Sequence, residues 1–124
     1  HTILGLPGES TQDILNTMKY LNHQDIQGIK LQLLHVLRGT DLASDYEKGL
    51  FCTYERDEYI SLVISCLEHL RPDMVIHRIT GDGPKDLLIA PLWASRKREV
   101  LNLLHHQMKA NHNYQGRQTN WQIN

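Results

Sequence analysis

Three short segments of this 124-residue chain hold residue types suited to binding or to chemistry, and each interrupts an apolar run. The first is Gly5-Leu6-Pro7-Gly8-Glu9, where two glycines let the backbone come close to a ligand. A loop that cradles triphosphates needs a lysine beside its last glycine; Glu9 stands there, which disfavours that chemistry. A flat neutral group such as a nucleobase suits the two glycines better, and a tight turn explains them equally well. The second segment, Leu37–Asp41, follows a run that contains His35 and Val36. The third, Thr80–Pro84, follows a run that contains His77 and Arg78 and holds Asp82 between two glycines. Imidazoles on neighbouring strands can move protons or hydrogen-bond a substrate if they face the same way. The plainer alternative is a histidine hydrogen-bonded at a sheet surface. Asp82 suits a substrate hydroxyl or amine, and suits a turn as well. Arg78 in mid-strand calls for an anionic partner: Asp82, Asp86 or a substrate.

These segments are expected at one end of an α/β sheet. His1–Leu4 reads as a strand and Gly5–Glu9 as its loop. Ser10 is a good N-cap, with Asp13 at the capping-box position. A helix follows, carrying Ile14, Leu15, Met18 and Leu21 on one face. Ile29–Val36 reads as a nearly continuous apolar strand, the pattern of a strand covered on both faces. Leu42–Thr53 reads as an irregular or short helical connector stopped near Gly49. Glu55–Leu70 is the clearest helix, its buried face formed by Tyr59, Leu62, Val63, Cys66, Leu67 and Leu70. Met74–Ile79 reads as a third strand and Lys85–Trp93 as a loop with a helical turn, with Trp93 over the sheet edge. Ser95 is expected to cap a last helix. Strand–helix alternation means parallel strands joined by right-handed crossovers, whose strand-to-helix loops share one rim. Residues 1–112 thus form one α/β unit, and the polar 113–124 a flexible tail.

Composition narrows the class. A hydrophobic fraction of 40% and 22% charged residues are ordinary for a globular chain. Thirteen basic and 14 acidic residues give a net charge of −1, so no global basic field advertises nucleic-acid binding. The longest apolar stretch, Leu87–Ala94, is too short to span a bilayer, which argues against a membrane partner. Two isolated cysteines suggest a reducing compartment, and so a cytoplasmic location. Cys66 and His69 lie three apart on one helix, but two ligands do not make a metal site. Among the eight histidines, His105, His106 and His112 read as surface residues. Arg96-Lys97-Arg98 opposes the dipole of the helix it begins; the run could meet RNA phosphates or an acidic loop, and a solvated face is the plainer reading.

The ordered motifs resemble a known family. Ile3-Leu4-Gly5-Leu6-Pro7-Gly8-Glu9 looks like the GLPGE strand-loop of radical S-adenosylmethionine enzymes. The later series Gly28-Ile29-Lys30, His35-Val36, Gly39-Thr40, Pro72-Asp73, Arg78-Ile79-Thr80-Gly81-Asp82 and Ala90-Pro91-Leu92-Trp93 is similar to the C-terminal half of the YhcC-type subfamily. That subfamily is related to the elongator-type tRNA-modifying radical enzymes. The resemblance implies the C-terminal segment of a partial (β/α)6 barrel, with an added strand and helix. It implies that Ile3, Gly5, Leu6 and Gly8 wall the adenine of S-adenosylmethionine, joined by His35, Val36 and Leu37. The residues' own chemistry puts His77, Arg78 and Asp82 forward for the substrate, and the elongator-type resemblance makes RNA a candidate for it. His1 stands where the family's looser motif has a glycine, and Glu9 falls one place late.

The family's 4Fe-4S cluster is held by a CxxxCxxC loop. This chain has only Cys52 and Cys66, 13 residues apart. The chain is therefore expected to supply part of a binding wall and not the radical chemistry. It opens in mid-element, as the interior of a larger enzyme would, and its expected partner is the N-terminal half of the same protein. An edge strand without that neighbour is expected to self-associate. Two rival classes remain: a fragment of another parallel α/β enzyme of TIM-barrel type, and a non-catalytic interaction module.

Overall fold

Ser10 starts the first helix by a local exchange of hydrogen bonds. In a computed structural model that describes residues 2–81 and 85–119, the Asp13 N–H donates to Ser10 Oγ (3.1 Å) and the Ser10 N–H to Asp13 Oδ2 (3.0 Å). The capping box thus pairs two backbone donors that a helix start leaves free. Helix α1 runs Thr11–Leu21 and buries Ile14 and Met18. It joins strand β1 (Thr2–Leu4) to β2 (Gly28–Leu33). Helix α2 is Asp41–Glu47, α3 is Arg56–Glu68 and α4 is Lys97–Ala110. Strand β4 is Val75–Arg78.

Strands β1, β2 and β4 form a parallel sheet in the order β1-β2-β4, with Leu4 beside Leu33 and Ile29 beside Ile76. Helices α1, α3 and α4 cover one face, where Leu4, Ile29, Leu31 and Leu33 pack against Ile14, Met18, Tyr59, Val63, Cys66, Val100 and Leu104. The other face stays half-open. Residues of β2 alternate between buried and half-buried, so this strand is not covered on both sides as its apolar run suggests. Lys30 and Gln32 alternate with the core residues and keep the second face polar.

The expected strand Ile29–Val36 divides in two. After Leu34 and His35 the chain turns into a two-residue strand β3 (Val36–Leu37), which pairs antiparallel with β5 (Leu88–Ala90). This pair makes a second, smaller core from Val36, Ala43 and Ala90, flanked by Leu42, Tyr46, Phe51 and Ile89. The segment Lys85–Trp93, expected as a loop, holds β5 between two short 3-10 turns. Ser95 does not cap α4: its hydroxyl donates to the Leu92 carbonyl (3.1 Å) within the preceding turn, and Arg96 takes the cap position. Trp93 packs at the start of α3: its Nε1 donates to the Tyr54 carbonyl (2.9 Å), and its ring lies 5.5 Å from that of Tyr59.

Beyond α4 the polar segment 113–119 is bound to the end of α3. Gln115 Nε2 donates to the carbonyls of Arg71 (2.9 Å) and Met74 (2.8 Å), and the Gly116 and Gln118 amides donate to Leu67 and Glu68. Among the described residues, no helix is long and apolar enough to cross a membrane.

Candidate functional site

Parallel pairing brings the ends of β1, β2 and β4 together, and a cavity of about 290 Å³ opens there on the uncovered face. Its lining is Ile3 from β1, Gln32 and Leu33 from β2, Leu34, His35 and Leu37 beyond it, Arg78 from β4, and Gly81. Four of the residues singled out by sequence therefore converge: Ile3, His35, Leu37 and Arg78. Others do not line this cavity. Gly5 lies under Tyr54: with φ +102°, its missing Cβ would sit 3.3 Å from that ring. Leu6 is exposed, and Gly8 turns in open space at φ +83°. Val36 is fully buried in the second core, so its side chain has no path to a ligand there. His77 is exposed and lies over Gly28, so it does not meet His35. Asp82 lies outside the described residues.

His35 holds the most unusual chemistry of the cavity. Its Nε2 is shut from solvent and has no hydrogen-bond partner among the described residues. Its pKa is lowered from 6.5, first by burial and then by the charge of Lys97, so the ring is neutral at pH 7. The ring fits because residue 81 has no side chain: a Cβ there would lie 3.0 Å from His35 Cε1 and 3.1 Å from Nε2.

The wall is fixed from behind by residues that sequence periodicity marks only as core. The Tyr59 hydroxyl donates to the Ile79 carbonyl at the end of β4 and thereby anchors the chain just before Gly81. Burial of that hydroxyl raises its pKa, the chemical behaviour of a structural donor. A buried tyrosine needs a partner for its hydroxyl, which is the one signal that could have pointed to this role. A second groove of about 240 Å³ lies between Tyr46, Tyr54, Glu55 and Trp93.

The residues do not fit an iron–sulfur cluster. Cys66 is fully buried in the main core and burial pushes its thiol up to about 12, whereas Cys52 is exposed. Among the described residues, no three of His, Cys, Asp and Glu group closely enough to hold a metal ion. The cavity itself, part apolar and part polar, has the character of an organic-ligand site.

Comparison with known proteins places this geometry in context. Residues 26–110 match the family described as Radical_SAM C-terminal domain. YtqA of Bacillus subtilis is 43% identical over 117 residues, 94% of this chain and 36% of that protein. MJ0486 of Methanocaldococcus jannaschii is 37% identical over the same shares. YhcC of Escherichia coli is 32% identical over 97 residues, 78% of this chain and 31% of its own. The chain thus spans about a third of the length of these curated relatives. Among solved structures, the archaeal Methanocaldococcus infernus Elp3 with an N-terminal deletion superposes with a TM-score of 0.70 at 17% identity, over 91% of this chain and 26% of that one. That likeness is one of fold.

Proposed function

Because the chain belongs to the Radical_SAM C-terminal domain family, we propose that it is the C-terminal portion of a radical S-adenosylmethionine iron–sulfur enzyme and forms part of the wall for cofactor and substrate. The observation that carries this reading is the family match over residues 26–110, taken with a cavity at the parallel strand ends that gathers Ile3, His35, Leu37 and Arg78. Ligands of parallel α/β proteins bind at that end of the sheet. Bound beside a reduced cluster, S-adenosylmethionine supplies a carbon-centred radical able to abstract hydrogen. This chain's own part is to shape the cavity: Ile3, Leu33, Leu34 and Leu37 exclude water, while Gln32, His35 and Arg78 orient polar groups. The cluster thiolates come from the N-terminal half of the same protein. RNA is a candidate substrate, suggested by the likeness to the elongator-type enzymes, and the reducing chemistry and free cysteines suit the cytoplasm.

The full-length protein tests this. Its gene should encode a CxxxCxxC loop upstream, and the anaerobically loaded protein should bind S-adenosylmethionine in a calorimetric titration. Absence of that loop sinks the reading; a loaded protein that binds no S-adenosylmethionine favours an interaction module instead.

The same reading explains the sheet edge. Among the described residues β1 pairs only with β2, leaving one side of Thr2–Leu4 open, with Ile3 exposed. In the whole protein that side takes a strand of the N-terminal half; alone, the chain self-associates through it. Sedimentation velocity should show concentration-dependent association, reduced in Ile3→Lys; a monodisperse monomer at high concentration contradicts the assignment.

A further inference from the structure

We propose that the groove between the two cores binds a methylated ammonium group of a small ligand, held against the rings of Tyr46, Tyr54 and Trp93 with the carboxylate of Glu55 beside them. The groove shares no lining residue with the strand-end cavity, so this site stands apart from the wall assigned to the radical enzyme.

Two observations carry it. The first is the aromatic lining. Tyr46 and Ile89 of the smaller core and Tyr54 and Trp93 beside the main one line a groove of about 240 Å³. All three aromatic side chains are half-buried, so each keeps surface for the groove. The Trp93 N–H is already donated to the Tyr54 carbonyl, which leaves the indole to act through its ring. The second is the charge around those rings. Glu55 lines the groove, and no lysine or arginine does so among the described residues. The pKa of the Tyr54 hydroxyl is raised, first by burial and then by the charges of Glu9 and Glu58. None of Glu9, Glu55 and Glu58 is in an ion pair among the described residues: Arg56, the neighbouring cation, pairs with Asp57 and Glu99. Glu58 Oε1 accepts the Glu55 N–H (3.0 Å), a neutral partner that leaves the carboxylate its charge. The start of α3 opposes these charges with a dipole worth about half a positive charge, which three carboxylates outweigh. An anion is therefore repelled, and a cation is drawn to the rings. Aromatic rings attract a cation through their negative faces, and a fully methylated nitrogen suits them best, having no N–H to leave unsatisfied against Ile89, Pro91 and Leu92.

The test is a titration of the ¹⁵N-labelled 124-residue chain, kept dilute and followed by the indole N–H resonance of Trp93. The chain has two tryptophans, and Trp93→Phe assigns the signal. Tetramethylammonium chloride is the probe, with sodium chloride at equal ionic strength as the control and ammonium chloride as the unmethylated arm. The expected result is a saturable shift of the Trp93 signal with tetramethylammonium alone. Tyr46→Leu and Glu55→Gln should each weaken that binding about two- to fivefold, and Tyr46→Phe, which keeps the ring, should retain it. If Tyr46→Leu does not fold, the wild-type and Glu55→Gln titrations decide. No saturable shift with tetramethylammonium, the same shift with sodium chloride, binding of ammonium as tight as that of tetramethylammonium, or unchanged affinity in Glu55→Gln overturns the site. Failure here leaves the family reading intact, and a missing cluster loop in the full-length gene leaves this site standing.

Discussion

Asn22 and Arg71 lock each other across the junction between α1 and the turn after α3. The Arg71 amide donates to Asn22 Oδ1 (2.8 Å), and Arg71 Nη1 donates back to the Asn22 carbonyl (2.9 Å). The guanidinium also reaches the carbonyls of Gln24 (3.3 Å) and Ile26, while Asn22 Nδ2 donates to the His69 carbonyl (2.7 Å). One buried cation thus satisfies the polar turn that leads into β2. Arg71→Met, which leaves three carbonyls without their donor, should cost about 2–4 kcal/mol in urea unfolding. Asp73→Asn removes only the ion pair at 3.1 Å to a carboxylate 62% exposed and should cost about 0–1 kcal/mol.

That lock was not legible in the sequence, because its partners lie almost fifty positions apart. What could be read was local. The Ser10–Asp13 capping box, the apolar face of α3 and the three parallel strands follow from short-range spacing, and they form close to where that spacing puts them. The β3–β5 pair could not be read. Each partner is two or three residues long, and what stabilises it is a separate core with Ala43 and Tyr46 supplied by α2. At the site, strand ends told which loops share a rim but not which side chains meet. His35 and Arg78 reach the cavity, whereas His77 lies over Gly28 at an irregular step in the β2–β4 register, a detail that periodicity does not carry.

Gly5 and Gly8 separate two contributions to one loop. Both have positive φ, at +102° and +83°, so an alanine is strained at either. Only at Gly5 would the new Cβ also meet a ring, at 3.3 Å from Tyr54 Cδ2 and Cε2. Gly8→Ala should cost about 1 kcal/mol and Gly5→Ala about 2–3 kcal/mol in chemical unfolding. Equal costs would mean that Tyr54 gives way freely.

His35 should make stability depend on pH in a fixed direction. Its folded pKa lies below the ordinary 6.5, through burial and then Lys97. The unfolded chain therefore binds the proton more readily, and stability due to this group is complete above pH 6.5 and falls as pH drops toward the folded value. Thermal midpoints of the wild type and His35→Gln, compared between pH 7.5 and 5.5, isolate that contribution because the carboxylates are common to both. The wild type should lose more on acidification than the variant; equal losses would place the ring in a more solvated setting.

The segment 113–119 sets composition against contacts. Its polar sequence predicts a flexible tail, yet its hydrogen bonds reach the carbonyls of Leu67, Glu68, Arg71 and Met74, the last of them one residue before β4. It also serves Glu68, a carboxylate only 8% exposed, which receives Asn113 Nδ2 at 3.2 Å and has Arg117 Nε at 3.9 Å. Removing residues 113–124 leaves that carboxylate and the α3 carbonyls to find water. The gain from those bonds is partly offset by the entropy of ordering the segment, so the net loss should be about 1–3 kcal/mol. Urea unfolding of the truncated chain measures it, and amide exchange offers an independent check. The Gly116 and Gln118 amides should exchange slowly in the intact chain, at rates close to those of the α3 C-terminus they bind. An unchanged midpoint together with fast exchange at both amides would return the segment to the flexible tail its composition suggests. A lowered midpoint would make it part of the structure that holds the start of β4, and through β4 the position of Arg78.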